Sequence, residues 1–277
     1  MWGKKDKHVD PLDPADAEQG SYWDHVIIDP ETKLIVSLVV GRRNADTVVA
    51  VFTDFYDRTG GYLPEVIMTV GYEVYERVII DTYGVWREEL ELTAKQEAWF
   101  DRLGMPEFYF PVEITYAKVV KVREGSRVVA VESEVVLGSE EQVEEALEES
   151  EHSTTVNTSF VERWFGTQRQ INSRKKRKAY TFSKELSCHE AHTWLVVVWY
   201  NFGWCVRTLR QQVQEEPPRY NYRTPAMAAD LADHPWSMRE LLCHPLYPPK
   251  DPPHRCKIRT YKDVLERLEG ACVGAAP

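Results

Sequence analysis

The stretch from Val156 to Arg210 gathers the residues of this chain best suited to chemistry. It reads VNTSFVERWFGTQRQINSR, then the basic run Arg174, Lys175, Lys176, Arg177 and Lys178, then FSKELSCHEAHTWLVVVWYNFGWCVRTLR. Ser159 to Ile171 has helical periodicity, so Glu162 and Arg169, seven residues apart, fall two turns apart on one face. A carboxylate followed closely by cations suits metal-assisted chemistry on nucleic acid. The acid holds a divalent cation, while the basic groups hold phosphates without reading sequence. Arg163 and the basic run are the candidate phosphate contacts, with Trp164 and Phe165 nearby, and Arg42 with Arg43 form a weaker candidate of the same kind. The plainer reading of the run is a solvated basic loop.

Other constellations carry less. Cys243-His244 and His254-x-Cys256 offer four zinc donors around a proline-rich loop, but without the CxxC or HxxxH spacing of structural zinc sites. Cys188, His189 and His192 lie on a helix with no arrangement of Ser, Asp or base beside them that suggests a nucleophile. The chain has no glycine-rich phosphate loop.

The elements that must position these residues follow from pattern and punctuation. His25 to Asp29 and Leu34 to Val40 are two β-rich runs joined by Asp29-Pro30-Glu31-Thr32-Lys33, which predicts an antiparallel hairpin. Asn44 caps a helix running through Asp57, with Val48, Val51, Phe52 and Phe55 on one face and Gly60-Gly61 ending it. Glu65 to Val70 reads as a strand and Tyr72 to Tyr83 as a helix. That order predicts an α/β fold with a mixed sheet, in which the strand returning through a helix pairs parallel to a neighbour. A helix over Thr93 to Leu103 precedes a second hairpin, Val112 to Val122 and Arg127 to Val136, turning at Glu124-Gly125-Ser126.

Ser139 to Glu151, SEEQVEEALEESE, reads as a solvated acidic helix or linker. Beyond the helix of Ser159 to Ile171, Ser183 to Leu209 is predicted as a long helix whose core face is Trp194, Leu195, Val198, Trp199, Phe202 and Val206. Gln211 to Asn221 reads as a connecting insert, Thr224 to Leu231 and Ser237 to Leu242 as short helices, and Pro245 to Pro253 as extended.

With 277 residues and 43% hydrophobic content, the chain has enough apolar material for one large domain or two small ones. Its apolar runs fall far below the roughly 20 residues of a membrane span, and no signal-peptide core follows Met1. Five cysteines without a CxxC pair suit reduced thiols, so a cytoplasmic protein is expected. A net charge of −10 argues against coating nucleic acid through bulk electrostatics, which leaves the segregated cations as the contact.

Several motifs then occur in a fixed order: GKKxKxVDPxDP, WxxVxIDPxTKLIVSxxVGxR, TxGYxxY, TSxVERxxxTxRxxxxR, FSKxxxxH, YNF, TLR and TPAMAAxxxDHxWSxxELL. Together they resemble the catalytic half of the insertion-sequence-one-like DDE transposases. The resemblance covers most of the chain outside Val85 to Ser153 and the insert after Arg210. It implies an RNase-H-like mixed sheet flanked by helices over residues 1–210, with an acidic insert near 139–151, and a helical, proline-rich C-terminal extension over 211–277.

Such transposases cleave and join DNA with two divalent cations, Mg²⁺ or Mn²⁺, held by three carboxylates. One lies on the first core strand, one at the end of the fourth strand and one on a late helix. Convergent acids are needed because two cations about 3.5–4 Å apart must be neutralised while they activate the attacking and leaving oxygens. Glu162 matches the helical glutamate, and Arg169 matches the basic position that contacts DNA phosphate. Val70 stands where the family has the strand-end aspartate. The first aspartate would lie a few residues before Trp2-Gly3-Lys4-Lys5, and the family's zinc-ribbon or helix-turn-helix part further upstream.

The resemblance therefore implies DNA as partner and a vestigial Glu162. A metal pair would form there only if a second copy or a partner chain supplied the missing strand and ligands. Asp24 and Asp29 are the substitute acids within reach of the first hairpin, and Asp29 is explained by its Asp-Pro turn. Two functions are expected: a catalytically degenerate transposase relative, or a non-catalytic DNA-binding or protein-interaction module derived from one.

Overall fold

A computed structural model describes residues 9–10, 12–13, 20–86, 98, 101, 108–109, 114–125, 127–150, 152–176, 181, 183, 185–214, 216–217 and 219–244. The chain divides into two compact units. One comprises residues 1–55 and 147–248, and the described residues of the other lie within 56–146.

The first unit is built on the expected hairpin, β1 (Trp23–Ile28) and β2 (Ile35–Gly41), paired antiparallel from Trp23↔Gly41 to Ile28↔Ile35. Its turn is set by Asp29, whose carboxylate accepts the amides of Glu31 at 3.0 Å and Thr32 at 3.2 Å. This is the Asx-turn chemistry expected of an Asp-Pro opening. One face of the hairpin meets α1 (Ala45–Thr59): the Ser37 hydroxyl is 3.0 Å from the Val51 carbonyl and 2.6 Å from the Asp54 carboxylate. Asn44 caps α1 by accepting the Thr47 amide at 3.2 Å, and Gly60 and Gly61 end it at positive φ, where a side chain is strained.

The opposite face carries Val26, Ile28, Leu38 and Val40 into a core with Trp164 of α4 (Ser159–Ile171) and Val196, Val197 and Tyr200 of α5 (Leu186–Phe202). These apolar contacts make the unit three layers, with α1 on one side of the hairpin and α4 with α5 on the other. Asn201 adds a specific tie. Its carboxamide accepts the Ile35 amide at 3.0 Å and donates to the Ile35 carbonyl at 2.9 Å, filling backbone positions that a neighbouring strand would otherwise satisfy.

Helix α5 is shorter than predicted, and its buried face is rotated. Thr193, Val196, Val197 and Tyr200 are buried at helical spacing, whereas Leu195 is exposed and Trp194, Val198 and Trp199 are half-buried. The sequence is apolar nearly all round here, so periodicity could not choose the face. The helix stops at Gly203, where a Cβ would sit 2.5 Å from the Trp199 ring. Gln211 to Asn221, expected as an insert, forms an antiparallel hairpin of β8 (Gln211–Gln214) and β9 (Arg219–Asn221). Short helices α6 (Pro225–Ala228) and α7 (Met238–Cys243) follow, capped by Thr224 and by a Ser237–Glu240 capping box.

The second unit holds β3 (Val66–Val70), α2 (Glu73–Tyr83), a short pair β4 (Val85–Trp86) and β5 (Phe108–Tyr109), and the hairpin β6 (Thr115–Glu124) with β7 (Arg127–Leu137). The mixed sheet is here. β3 runs parallel to β6, Val66↔Thr115 to Val70↔Val119, and β6 pairs antiparallel with β7. This differs from the expectation that β3 would join the first hairpin, since β1 and β2 form a separate two-stranded sheet. Lys118 on β6 links the layers, 3.2 Å from both Glu76 of α2 and Glu134 of β7. The acidic stretch forms α3 (Glu140–Glu149), which buries Val143.

The molecule is thus mixed α/β, with a mixed sheet flanked by helices. Among the described residues no helix is long and apolar enough to cross a membrane. The predicted helix over Thr93 to Leu103 lies almost entirely, and the extended run from Pro245 to Pro253 wholly, outside the described residues, as does most of Met1 to Gly20.

Candidate nucleic-acid interface

Helix α4 presents two faces of opposite character. Trp164 and Gln168 are buried, while Glu162, Arg163, Arg169 and Gln170 are exposed along one strip. The strip exists because the core grips the other side: the Trp164 ring lies 4.7 Å from that of Tyr200. The strip therefore has a fixed orientation within this unit.

Glu162 belongs to the first turn of α4, with its amide 3.1 Å from the Thr158 carbonyl and its carboxylate 3.5 Å from the Thr158 hydroxyl. A carboxylate there also stabilises the helix against its dipole. Val70 is the exposed last residue of β3 in the second unit. Among the described residues no three His, Cys, Asp or Glu side chains group as ligands of a metal ion. One carboxylate beside an arginine is a donor set that does not fit a pair of divalent cations.

Beyond α4 the described residues of the basic run, Arg174 to Lys176, do not all face outward. Asn172 accepts the Arg174 amide at 3.0 Å and starts a 3₁₀ turn over Ser173–Lys175, which sends neighbouring side chains in different directions. Arg174 and Lys176 are exposed, and the Arg174 guanidinium reaches the Ser183 hydroxyl at 3.5 Å. Lys175 turns inward instead. Its ammonium forms an ion pair with the Asp24 carboxylate of β1, the two side chains being only 10% and 11% exposed. Burial pushes the Lys175 ammonium below its ordinary pKa, although Asp24 pulls it back up. Arg177 and Lys178 lie outside the described residues.

Asp24, considered from sequence only as a substitute metal ligand, is therefore the anchor of this pair. No local pattern could have matched it to Lys175, which lies 151 residues away in the chain.

The start of α5 faces the same charges. Burial, then Lys175, depress the His189 imidazole to about 4, with Asp24 opposing; burial followed by Arg174 and Lys175 lowers His192. Among the described residues the buried His192 Nδ1 has no hydrogen-bond partner, and neither have the buried side-chain donors Trp164 Nε1, Gln168 Nε2 and Asn172 Nδ2. A histidine held neutral makes the fold sensitive to acid. Below the ordinary value of 6.5 the unfolded chain binds a proton that the folded His189 refuses, so stability falls as pH drops from about 6.5 towards 4. Urea unfolding across that range is expected to show a shallower acid slope for His189→Gln than for the parent protein.

The weaker candidates, Arg42 and Arg43, are exposed and lie over the Tyr22 and Trp23 rings, 5.8 and 5.5 Å from the centroids. Near the end of the first unit a dish of about 830 Å³ lies beside Trp236 and Leu231. On its rim His234 bridges Asp233 at 2.6 Å and Glu240 at 3.1 Å. The two carboxylates raise the pKa of His234, and the Ser237 amide and hydroxyl hold Glu240 down at about 2. The α7 capping box accounts for the position of the Glu240 carboxylate.

No protein family, curated protein or solved structure matches this chain.

Proposed function

We propose that this chain is a transposase-derived, RNase-H-like protein that contacts the DNA backbone and does not cleave DNA by itself. The observation that carries the proposal is the exposed strip of α4, with Arg163 and Arg169, to which the exposed Arg174 and Lys176 add charge shortly after the helix ends. Four exposed cations, two on a helix held by its own core and two in and just after the 3₁₀ turn that follows it, suit phosphate contacts, and such contacts position a duplex without reading its sequence. The ordered motifs described above support the transposase ancestry. The layering of a hairpin between α1 and the pair α4 and α5 is compatible with an RNase-H-like core, while the separate pairing of β3 weighs against it. The lack of catalysis rests on chemistry: Glu162 with Val70 in place of the second acid leaves too little negative charge for two cations.

The test is salt-dependent binding to duplex DNA. Replacing Arg163, Arg169, Arg174 and Lys176 together by glutamine is expected to weaken binding and to flatten the slope of log K against log salt by about 0.9 for each phosphate no longer neutralised. Glu162→Gln should leave binding intact. Two results would overturn the reading: an unchanged salt slope in the fourfold variant, or Mg²⁺- or Mn²⁺-dependent cleavage of terminal-repeat DNA that disappears in Glu162→Gln.

A further inference from the structure

Lys33 is a buried lysine that the DNA-contact reading does not use. It is 7% exposed and sits in the β1–β2 turn at φ +61°, a left-handed conformation that is uncommon for a residue with a side chain. The backbone is held there because its amide donates to the Asp29 carbonyl at 2.9 Å while the Asp29 amide donates to the Leu34 carbonyl at 2.9 Å. Its ammonium donates to the Pro30 carbonyl and lies 3.9 Å from the centroid of the Phe160 ring, in the first turn of α4. A turn residue thus grips the helix that bears Glu162 and Arg163.

A second tether joins the same two places. Glu31 of the turn accepts the Ser150 hydroxyl and lies 3.8 Å from His152. The Ser150 hydroxyl oxygen accepts the Ser153 amide at 2.9 Å, and the Ser153 hydroxyl oxygen accepts the Asn157 carboxamide at 3.3 Å. Asn157 in turn accepts the Ser159 amide at 3.0 Å, at the beginning of α4. The hydrogen-bonded chain fixes where α4 starts, and the contact of Lys33 with Phe160 fixes the first turn against the hairpin.

We propose that Lys33 is the positioning residue for the first turn of α4, acting as a cation on the Phe160 ring that holds Arg163 in place. The functional consequence, DNA affinity, rests on the reading given above; the positioning itself does not. A cation is required because the ring attracts charge through its quadrupole, and an uncharged stem of equal length lacks that attraction. The charged groups facing the ammonium are Asp29 and Glu31 in the turn and Arg163 on α4, with His152 reaching it through Glu31. Burial lowers the Lys33 pKa to about 8 against the pull of the two carboxylates, with Arg163 lowering it further. The ammonium is therefore mostly charged at pH 7, and the grip is released as pH rises past about 8.

The experiment is amide hydrogen exchange of Glu162 and Arg163, the first amides of α4 bonded within the helix, in the full chain, each rate divided by the intrinsic rate at that pH, for the parent protein and for Lys33→Arg, Lys33→Met and Phe160→Leu. At pH 7, Lys33→Met and Phe160→Leu are expected to exchange roughly thirtyfold faster than the parent, the size of a desolvated cation–π contact, while Lys33→Arg stays near it. Between pH 7 and 9 the parent should lose protection and Lys33→Arg should not. Equal exchange in Lys33→Met and the parent overturns the proposal, and so does a pH profile that Lys33→Arg shares with the parent. DNA affinity is measured on the same variants. Unchanged affinity despite weaker protection upholds the positioning and removes Arg163 from the DNA contact.

Discussion

Trp164→Ala is expected to destabilise the first unit by about 3–5 kcal/mol, the usual range for truncating a buried tryptophan in a packed core. Trp164 is 1% exposed and is the largest side chain in the cluster of Ile35, Leu38, Val40, Val196, Val197 and Tyr200. It joins α4 to the hairpin and to α5 at once, so the cavity would be lined by three elements that cannot all collapse into it. Trp164→Phe provides the contrast. It keeps an aromatic ring against Tyr200 and removes an indole donor that is buried without a partner among the described residues, so its cost should be much smaller. Urea unfolding followed by tryptophan fluorescence measures both, the remaining tryptophans serving as reporters. A loss below about 1 kcal/mol for Trp164→Ala would mean that α4 is not held by this core, and the fixed cationic strip would lose its basis.

The second large effect concerns Asp24 and Lys175. Removing either partner alone leaves a charge among groups that exclude water, and about 3–5 kcal/mol of destabilisation is expected for Asp24→Leu or Lys175→Met. The double variant should recover most of that loss, because an apolar pair of similar volume avoids desolvating two ions. The non-additivity is the signature to measure, since independent surface residues would give additive changes. The comparison also tests Lys175 as a phosphate ligand. If Lys175→Met keeps its stability but loses DNA affinity, the lysine serves DNA and not the fold.

The elements that were legible in the sequence share one property: their signals are local. Asp29-Pro30 marks a turn, and Asn44 with Gly60-Gly61 brackets α1 at both ends. The polar and apolar residues of Ser159 to Ile171 alternate with helical period, so the bounds of α4 and its exposed Glu162, Arg163 and Arg169 follow directly. Where the pattern is uniform the sequence is silent. Leu186 to Phe202 is apolar on most sides, and only packing decided that Val196 and Val197 face the core while Leu195 does not. The hairpin of β8 and β9 gives no such signal, because QQVQ and RYN carry little β-forming side-chain character.

Local signals in the sequence were enough for the first hairpin, α1, β3, α2 and α4, for the Asp29 turn and the Asn44 cap, and for the segregation of charge. Each of these depends on neighbours within a few turns of chain. Tertiary structure alone decided the partners. β3 pairs with β6 across 49 residues of chain, Val66 opposite Thr115, because backbone ladders are indifferent to sequence separation once loop entropy is overcome. The same holds within the basic run, where Arg174 and Lys176 face out and Lys175 faces in to Asp24. Cations in a row look equivalent as letters, and it is the 3₁₀ turn after Asn172, with one largely buried carboxylate on β1, that sets Lys175 apart from Arg174 and Lys176.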